Sequence, residues 1–193
     1  MAGIPFPTAT TAVGRDRVNL TFSNPAWTGE YYLAGGICWP QVTDSTNSPR
    51  GVAIVCGVRR SHVFVFAEHE FMAIKQVGEH PGLEVWLRDM TLLPGVAKFY
   101  HRDPKDTHRQ YSVPLFADAR LAAVYFPKVS WADEYQPLQS VWELVASGNL
   151  NYSRGGLVYN DLQRYNVHNQ GPLPPGVHAL LCVVTGLTRF PPR

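Results

Sequence analysis

The sequence predicts an all-β chain of two small lobes, with an extended N-terminal arm and little helix. Three observations lead there. Sixteen prolines and sixteen glycines accompany 12% aromatic residues, a composition that favours short strands and turns over helices. Apolar residues make up 45% and charged residues 17%, as in chains that bury a core. Runs rich in β-branched and aromatic residues fall on both sides of one polar, unpatterned stretch, HRDPKDTHRQ at 101–110, which reads as a connector between lobes. On this reading residues 1–17 form the arm, 18–104 an N-terminal β-barrel lobe and 105–193 a C-terminal one.

The elements follow in order. Residues 1–30 are rich in Thr, Pro, Asn and Gly, and only Val18–Phe22 has strand character. GVAIVCGV (51–58), a short polar turn and HVFVFA (62–67) read as a β-hairpin. Strict alternation along the second strand places Val63, Val65, Ala67 and His69 on one face. LEVWL (83–87) and VAKFY (96–100) read as further strands, as do LAAVYF (121–126), GLVYN (156–160) and HALLCVV (178–184). PLQSVWELVASG (137–148) is the exception. Leu138, Val141, Trp142 and Val145 keep helical spacing, with Pro137 before them and Gly148 after.

Composition also limits function. A formal net charge of +2 is too small to argue for nucleic acid, and the 98–109 segment is only a fragment of a basic, aromatic stripe. Nucleic acid is therefore an unexpected partner. Three cysteines, Cys38, Cys56 and Cys182, with no C-x-x-C pair, fit neither a disulfide framework nor a zinc knuckle and suit a reducing compartment. Cys56 and Cys182 sit in apolar runs and are expected to be buried free thiols. No apolar run approaches the roughly 18 residues of a membrane helix, and MAGIPFPTAT lacks the basic and apolar regions of a signal peptide. A cytoplasmic protein without a membrane partner is the expectation. His101, Asp103, Asp106 and His108, and separately His62, Glu68, His69 and Glu70, lie close in sequence, but neither spacing matches a zinc motif, so no metal and no cofactor are expected.

One constellation carries chemistry. His69 closes an apolar strand, Asp89 opens the run DMTLL, and Ser153 precedes two glycines in NYSRGGLVYN (151–160). Acyl transfer needs an imidazole to take the serine proton, a carboxylate to hold that imidazole, and backbone amides in a tight loop to receive the oxyanion. The three residues occur in the order His, Asp, Ser.

These motifs resemble the chymotrypsin-like serine proteases, in particular the compact members encoded by RNA viruses. HVFVFAEHEF (62–71) is similar to the family's histidine strand, and DMTLL (89–93) to its aspartate segment. NYSRGGLV (151–158) lies without gaps on G-D-S-G-G-P-L-V. GVAIVC (51–56) resembles the strand before the histidine, and HALLCVVTG (178–186) the strand that edges the specificity pocket. The resemblance runs through short motifs from about Gly51 to Gly186. It implies a two-lobe chymotrypsin-like double β-barrel and a serine endopeptidase acting on a protein or peptide through His69, Asp89 and Ser153. The oxyanion hole would come from the Asn151 and Ser153 amides, and the substrate pocket from Val183, Val184, Thr185 and Gly186. With no histidine or acid in that stretch, the pocket would prefer an apolar residue.

The sequence departs from the family pattern at Asn151, where glycine is usual, and at Arg154, which follows the serine. Glu68 and Glu70 also flank His69. These departures support a second expectation on the same fold: a degenerate, non-catalytic structural subunit of a viral particle or other assembly, contacting partner subunits through its N-terminal arm.

Overall fold

The computed structural model describes residues 6–14, 16–40, 50–72, 82–90, 98–102, 116, 122–126, 131–165 and 173–189. Eight described strands form one mixed sheet, flanked by helices on both faces. In chain order the elements are β1 (Ala9–Ala12), β2 (Arg17–Thr21), β3 (Gly29–Cys38), β4 (Arg50–Arg59), β5 (His62–Met72), α1 (Leu83–Met90), β6 (Lys98–Arg102), β7 (Ala122–Phe126), α2 (Trp131–Ala146), β8 (Leu150–Asn151), α3 (Leu157–Arg164) and α4 (Pro175–Arg189). The all-β double barrel is thus overturned. Strands from both halves of the chain enter one open sheet, and much of the C-terminal half is helical. The connector expected at 101–110 starts inside β6, which runs to Arg102; its remainder, 103–110, and the boundary between 104 and 105 lie outside the described residues.

The sheet is built outward from β3. Its first half pairs antiparallel with β2, its second half pairs parallel with β6 on the same edge, and its other edge carries β4. The β4–β5 hairpin is as expected, with Arg59 opposite His62 and a two-residue turn. β6 continues to β7 in parallel, and β8 joins β5 in parallel. The expected strand at Val18–Phe22 is β2. The segment before it is not a free arm from residue 9 onward, because β1 folds back onto β2.

Alternation along β3 and β4 supplies two cores. Tyr32, Ala34, Cys38, Val52, Ile54 and Cys56 face α2, α3 and α4. Tyr31, Leu33, Ile37, Ala53 and Val55 face the aromatic layer that holds α1. On β5 the alternation breaks. Val55 is opposite Ala67 while Cys56 is opposite Val65, so Phe66 is the extra residue of a β-bulge. Val63 and Val65 therefore face α2–α4, whereas Ala67 packs with the α1 core and His69 stacks on Trp86 of α1. One inserted residue exchanges faces for everything after it.

Three apolar runs expected as strands are helices. Leu83, Leu87 and Met90 are the buried stripe of α1, a 4-then-3 spacing that belongs to a helix. In α3, Gly156 stands at the N-cap without a capping side chain. Glu68 of β5 takes over that role, accepting from the Leu157 and Val158 amides at 3.0 and 2.9 Å, a carboxylate at the positive end of a helix. In α4, Pro175 holds the first position, where a missing N–H costs nothing. α4 is buried on nearly all sides from Val177 to Val183, so no polar face marks its period. It approaches β3 closely because Gly36 has no side chain: a Cβ there would collide with the Ala179 carbonyl. The helix expected at 137–148 is α2, which begins earlier, at Trp131.

Candidate functional site at the carboxyl ends of β3 and β6

β3 and β6 are parallel neighbours, Ile37 opposite His101. From β3 the chain leaves to one side for β4 and β5, then returns on the other side as β6. Where connections diverge in this way, a crevice opens outside the carboxyl ends of the strands, the usual place for a site in such sheets. Cys38 ends β3 there and Trp39 follows it, His101 lies near the end of β6, and α4 begins above them.

On the α4 face, the His178 Nδ1 and Cys38 Sγ atoms are 3.0 Å apart. Cys182, one helical turn further along α4, points its thiol at the Ile37 carbonyl, 3.8 Å away. Burial drives the Cys38 thiol well above its ordinary pKa, helped by Cys182 and Asp161 and opposed by Arg50. It is a buried neutral thiol rather than a nucleophilic thiolate. Asp161 of α3 is buried and uses both oxygens: Oδ1 accepts from Arg50 Nη2, and Oδ2 from the Gly176 amide at 2.7 Å. Arg50 also reaches Glu70 Oε2 at 3.7 Å. This bridge ties β4 to α3 and to the start of α4.

On the opposite face, Trp39 Nε1–H donates to His101 Nδ1 at 2.9 Å. His101 is fully buried beside Phe116, and burial lowers its pKa to about 3. The ring is therefore neutral, and because Nδ1 accepts, its proton sits on Nε2.

The residues expected to form a triad are placed as follows. His69 is stacked on Trp86 with ring centroids 5.6 Å apart. Its buried Nε2 has no hydrogen-bond partner among the described residues, so it does not hold the Ser153 hydroxyl. Desolvation lowers its pKa, against the opposing charge of Glu70. Asp89 is exposed in the last turn of α1, and Ser153 is exposed in the turn between β8 and α3, its carbonyl accepting from the Gly156 amide. Asn151 is buried in β8, opposite Phe64. Val183, Val184, Thr185 and Gly186 belong to α4, so the expected pocket strand does not exist. Gly186 instead lets the helix lie on the Tyr100 ring. Cys38, Cys56 and Cys182 are buried free thiols, as expected for the last two.

Sequence reasoning did not find the Cys38, His101, His178 and Asp161 group. They come from segments read as loop, connector and strand, 62 residues apart for Trp39–His101 and 140 for Cys38–His178. The one available signal was His178 and Cys182, four apart and so on one face if the segment is helical.

No protein-family model matches the chain, and no curated protein matches it. Solved structures are similar to it in fold, at 12% identity or less: a mixed sheet with helices on both faces. The chain is similar to the large terminase nuclease from thermophilic phage G20c with bound zinc, with a TM-score of 0.57 and 12% identity over 94% of this chain and 92% of that one. The same nuclease with bound magnesium gives 0.55. The human cytomegalovirus terminase nuclease domain, soaked in manganese and inhibitor-bound, gives 0.52 and 7% identity over 80% of this chain and 82% of that one. These likenesses overturn the chymotrypsin-like resemblance and the serine protease reading with it. They do not favour the structural-subunit alternative either.

The phage nuclease is seen with bound zinc and with bound magnesium, so the fit of the donors at the crevice of this sheet to such an ion matters. A hard divalent cation needs several free oxygen ligands. Here Asp161 and Glu68 already use both oxygens, Glu70 leans on Arg50, and the remaining groups are thiols and imidazoles. Among the described residues no group of three His, Cys, Asp or Glu side chains could hold a metal. The described residues do not fit such an ion, and no step through one is assigned. His101 also opens a segment weighed as a metal motif; its other members, Asp103, Asp106 and His108, lie outside the described residues.

Proposed function

We propose that this chain acts on nucleic acid as a binding domain of nuclease-type fold, with its working face at the carboxyl ends of β3 and β6. One observation carries this reading: fold similarity to a large terminase nuclease over nearly the whole of both chains. The topology supports the choice of face, since β3 and β6 meet at the point where the connections diverge. The expectation that nucleic acid is an unlikely partner is dropped in favour of this reading. Among the described residues no helix is long and apolar enough to cross a membrane.

What the Arg50–Asp161–Gly176 bridge does is hold β4, α3 and α4 in register behind the crevice. The test is fluorescence anisotropy with labelled duplex and single-stranded DNA across a salt series. Binding through phosphate contacts loses affinity as salt rises, with a log–log slope of about −0.9 per contact on duplex. A slope of about −2 to −4 is expected for a weakly basic chain. Absence of salt-dependent binding to either form refutes the proposal.

A further inference from the structure

A cavity of about 620 Å³ lies at the other end of the sheet, between Tyr32, the β4–β5 turn and the C-terminal ends of α2 and α4. Tyr32 is six residues before Cys38 on β3, roughly 20 Å along a strand. The cavity is thus remote from the crevice and stands independently of the nucleic-acid reading. Its size is that of a small-molecule site. Its lining includes the apolar Val58, Val63, Leu144, Val184 and Leu187, while the exposed Arg60 and Ser61 stand at its mouth.

Arg60 is the unusual member. It is the only non-glycine residue with positive φ among the described residues, at 51°, a conformation few side chains adopt. It is exposed, and no ion pair or hydrogen bond engages its guanidinium among the described residues. Its neighbour Arg59, by contrast, donates to the Thr28 carbonyl. The positive φ is what a two-residue hairpin turn asks of its first residue, and it fixes where the Arg60 side chain leaves the turn. The turn thus places an exposed cation, without an ion pair among the described residues, beside the apolar part of the cavity lining.

We propose that this cavity binds an amphipathic organic anion, its apolar body against Val63, Leu144 and Leu187 and its oxyanion group on Arg60. Glu143 shares the mouth, where its Oε1 accepts from Gln139 at 3.2 Å. Its charge opposes the anion and sets the headgroup on the Arg60 side.

The test uses three probes with one flat body: 1-naphthoate, 1-naphthyl phosphate and uncharged 1-naphthalenemethanol, titrated into the full chain by calorimetry. One equivalent of each anion should bind, and the tighter of the two identifies the headgroup as carboxylate or phosphate. Arg60→Gln should weaken both anions about tenfold, the loss of one charge-assisted contact, and leave the alcohol within about twofold. Arg60→Gly, which relieves the left-handed backbone and so folds readily, should lose the anions equally. Glu143→Gln should tighten them about two- to threefold, as expected from removing a nearby like charge. Ser140→Trp, which fills the cavity, should abolish all three. Failure of every probe to bind at millimolar concentration overturns the proposal. So does binding of several equivalents, or anion affinity unchanged in both Arg60 variants.

Discussion

Gly36→Ala reverses sign depending on what covers β3. In an uncovered strand, alanine replacing glycine stabilises by about 0.5–1 kcal/mol through the entropy of the unfolded chain. Here a Cβ at residue 36 would strike the Ala179 carbonyl oxygen of α4 and approach Val183 Cγ2 to 2.7 Å. A helical carbonyl is held by its own hydrogen bond and cannot swing aside, so α4 must lift from the sheet. Such overpacking costs about 1–3 kcal/mol. For a chain of this size that lowers the melting temperature by about 2–12 °C. Gly14, where nothing lies within 4 Å of an added Cβ, is the control, and Gly14→Ala should stay within about 0.5 kcal/mol of the parent. Thermal melts followed by circular dichroism read both. A Gly36→Ala protein melting at or above the parent temperature would show that α4 is not packed on β3, and the layer arrangement would fall.

Other outcomes follow from single contacts. His101 is neutral when folded, with a pKa of about 3 against 6.5 in the unfolded chain. Between those values the unfolded state binds the extra proton, so stability is full above about pH 6.5 and declines as pH drops toward 3. The decline amounts to about 4–5 kcal/mol at most. Urea titrations from pH 7 to 4 should show that slope, and His101→Phe should flatten it. Glu68→Ala removes the acceptor for two amides of α3 and should cost about 1–3 kcal/mol, with faster hydrogen exchange at Leu157 and Val158. An unchanged exchange rate would remove Glu68 from its capping role. Native protein should show no thiol reactive to Ellman's reagent, and Cys38, Cys56 and Cys182 should all react in denaturant. A reactive native thiol would contradict their burial.

What the sequence disclosed depended on how local the signal was. The β4–β5 hairpin was legible because two β-rich runs flank a short polar turn, and α2 because its apolar positions keep helical spacing beside polar ones. β7 was legible as a β-rich run. β3 was not, because Gly35 and Gly36 interrupt it, and their purpose lies in what approaches from above: Phe99 over Gly35 and α4 over Gly36. α4 read as a strand because it is buried nearly all round, and a fully apolar run does not distinguish helix from strand. α3 read as a strand because its cap comes from Glu68, far away in sequence. The bulge at Phe66 then moved His69 to the face opposite Val63, which no alternation rule anticipates. The resemblance around Ser153 rested on eight residues whose glycines serve a turn and a helix start, with Gly155 at φ 77°. The crevice residues became neighbours only through the parallel pairing of β3 with β6 and the return of α4, both long-range events.

Site-specific photocrosslinking tests most directly where nucleic acid meets this fold. Met72 is exposed at the end of β5, opposite Arg50 and on the crevice side of the sheet. Ser61 is exposed in the β4–β5 turn at the opposite end. Replacing each in turn with p-benzoylphenylalanine and irradiating with labelled duplex DNA in low salt separates the two faces. DNA bound at the crevice end of the sheet gives an adduct from Met72→p-benzoylphenylalanine that fades as salt is raised, and none from Ser61→p-benzoylphenylalanine. An adduct from residue 61 alone, or from neither position, would contradict it.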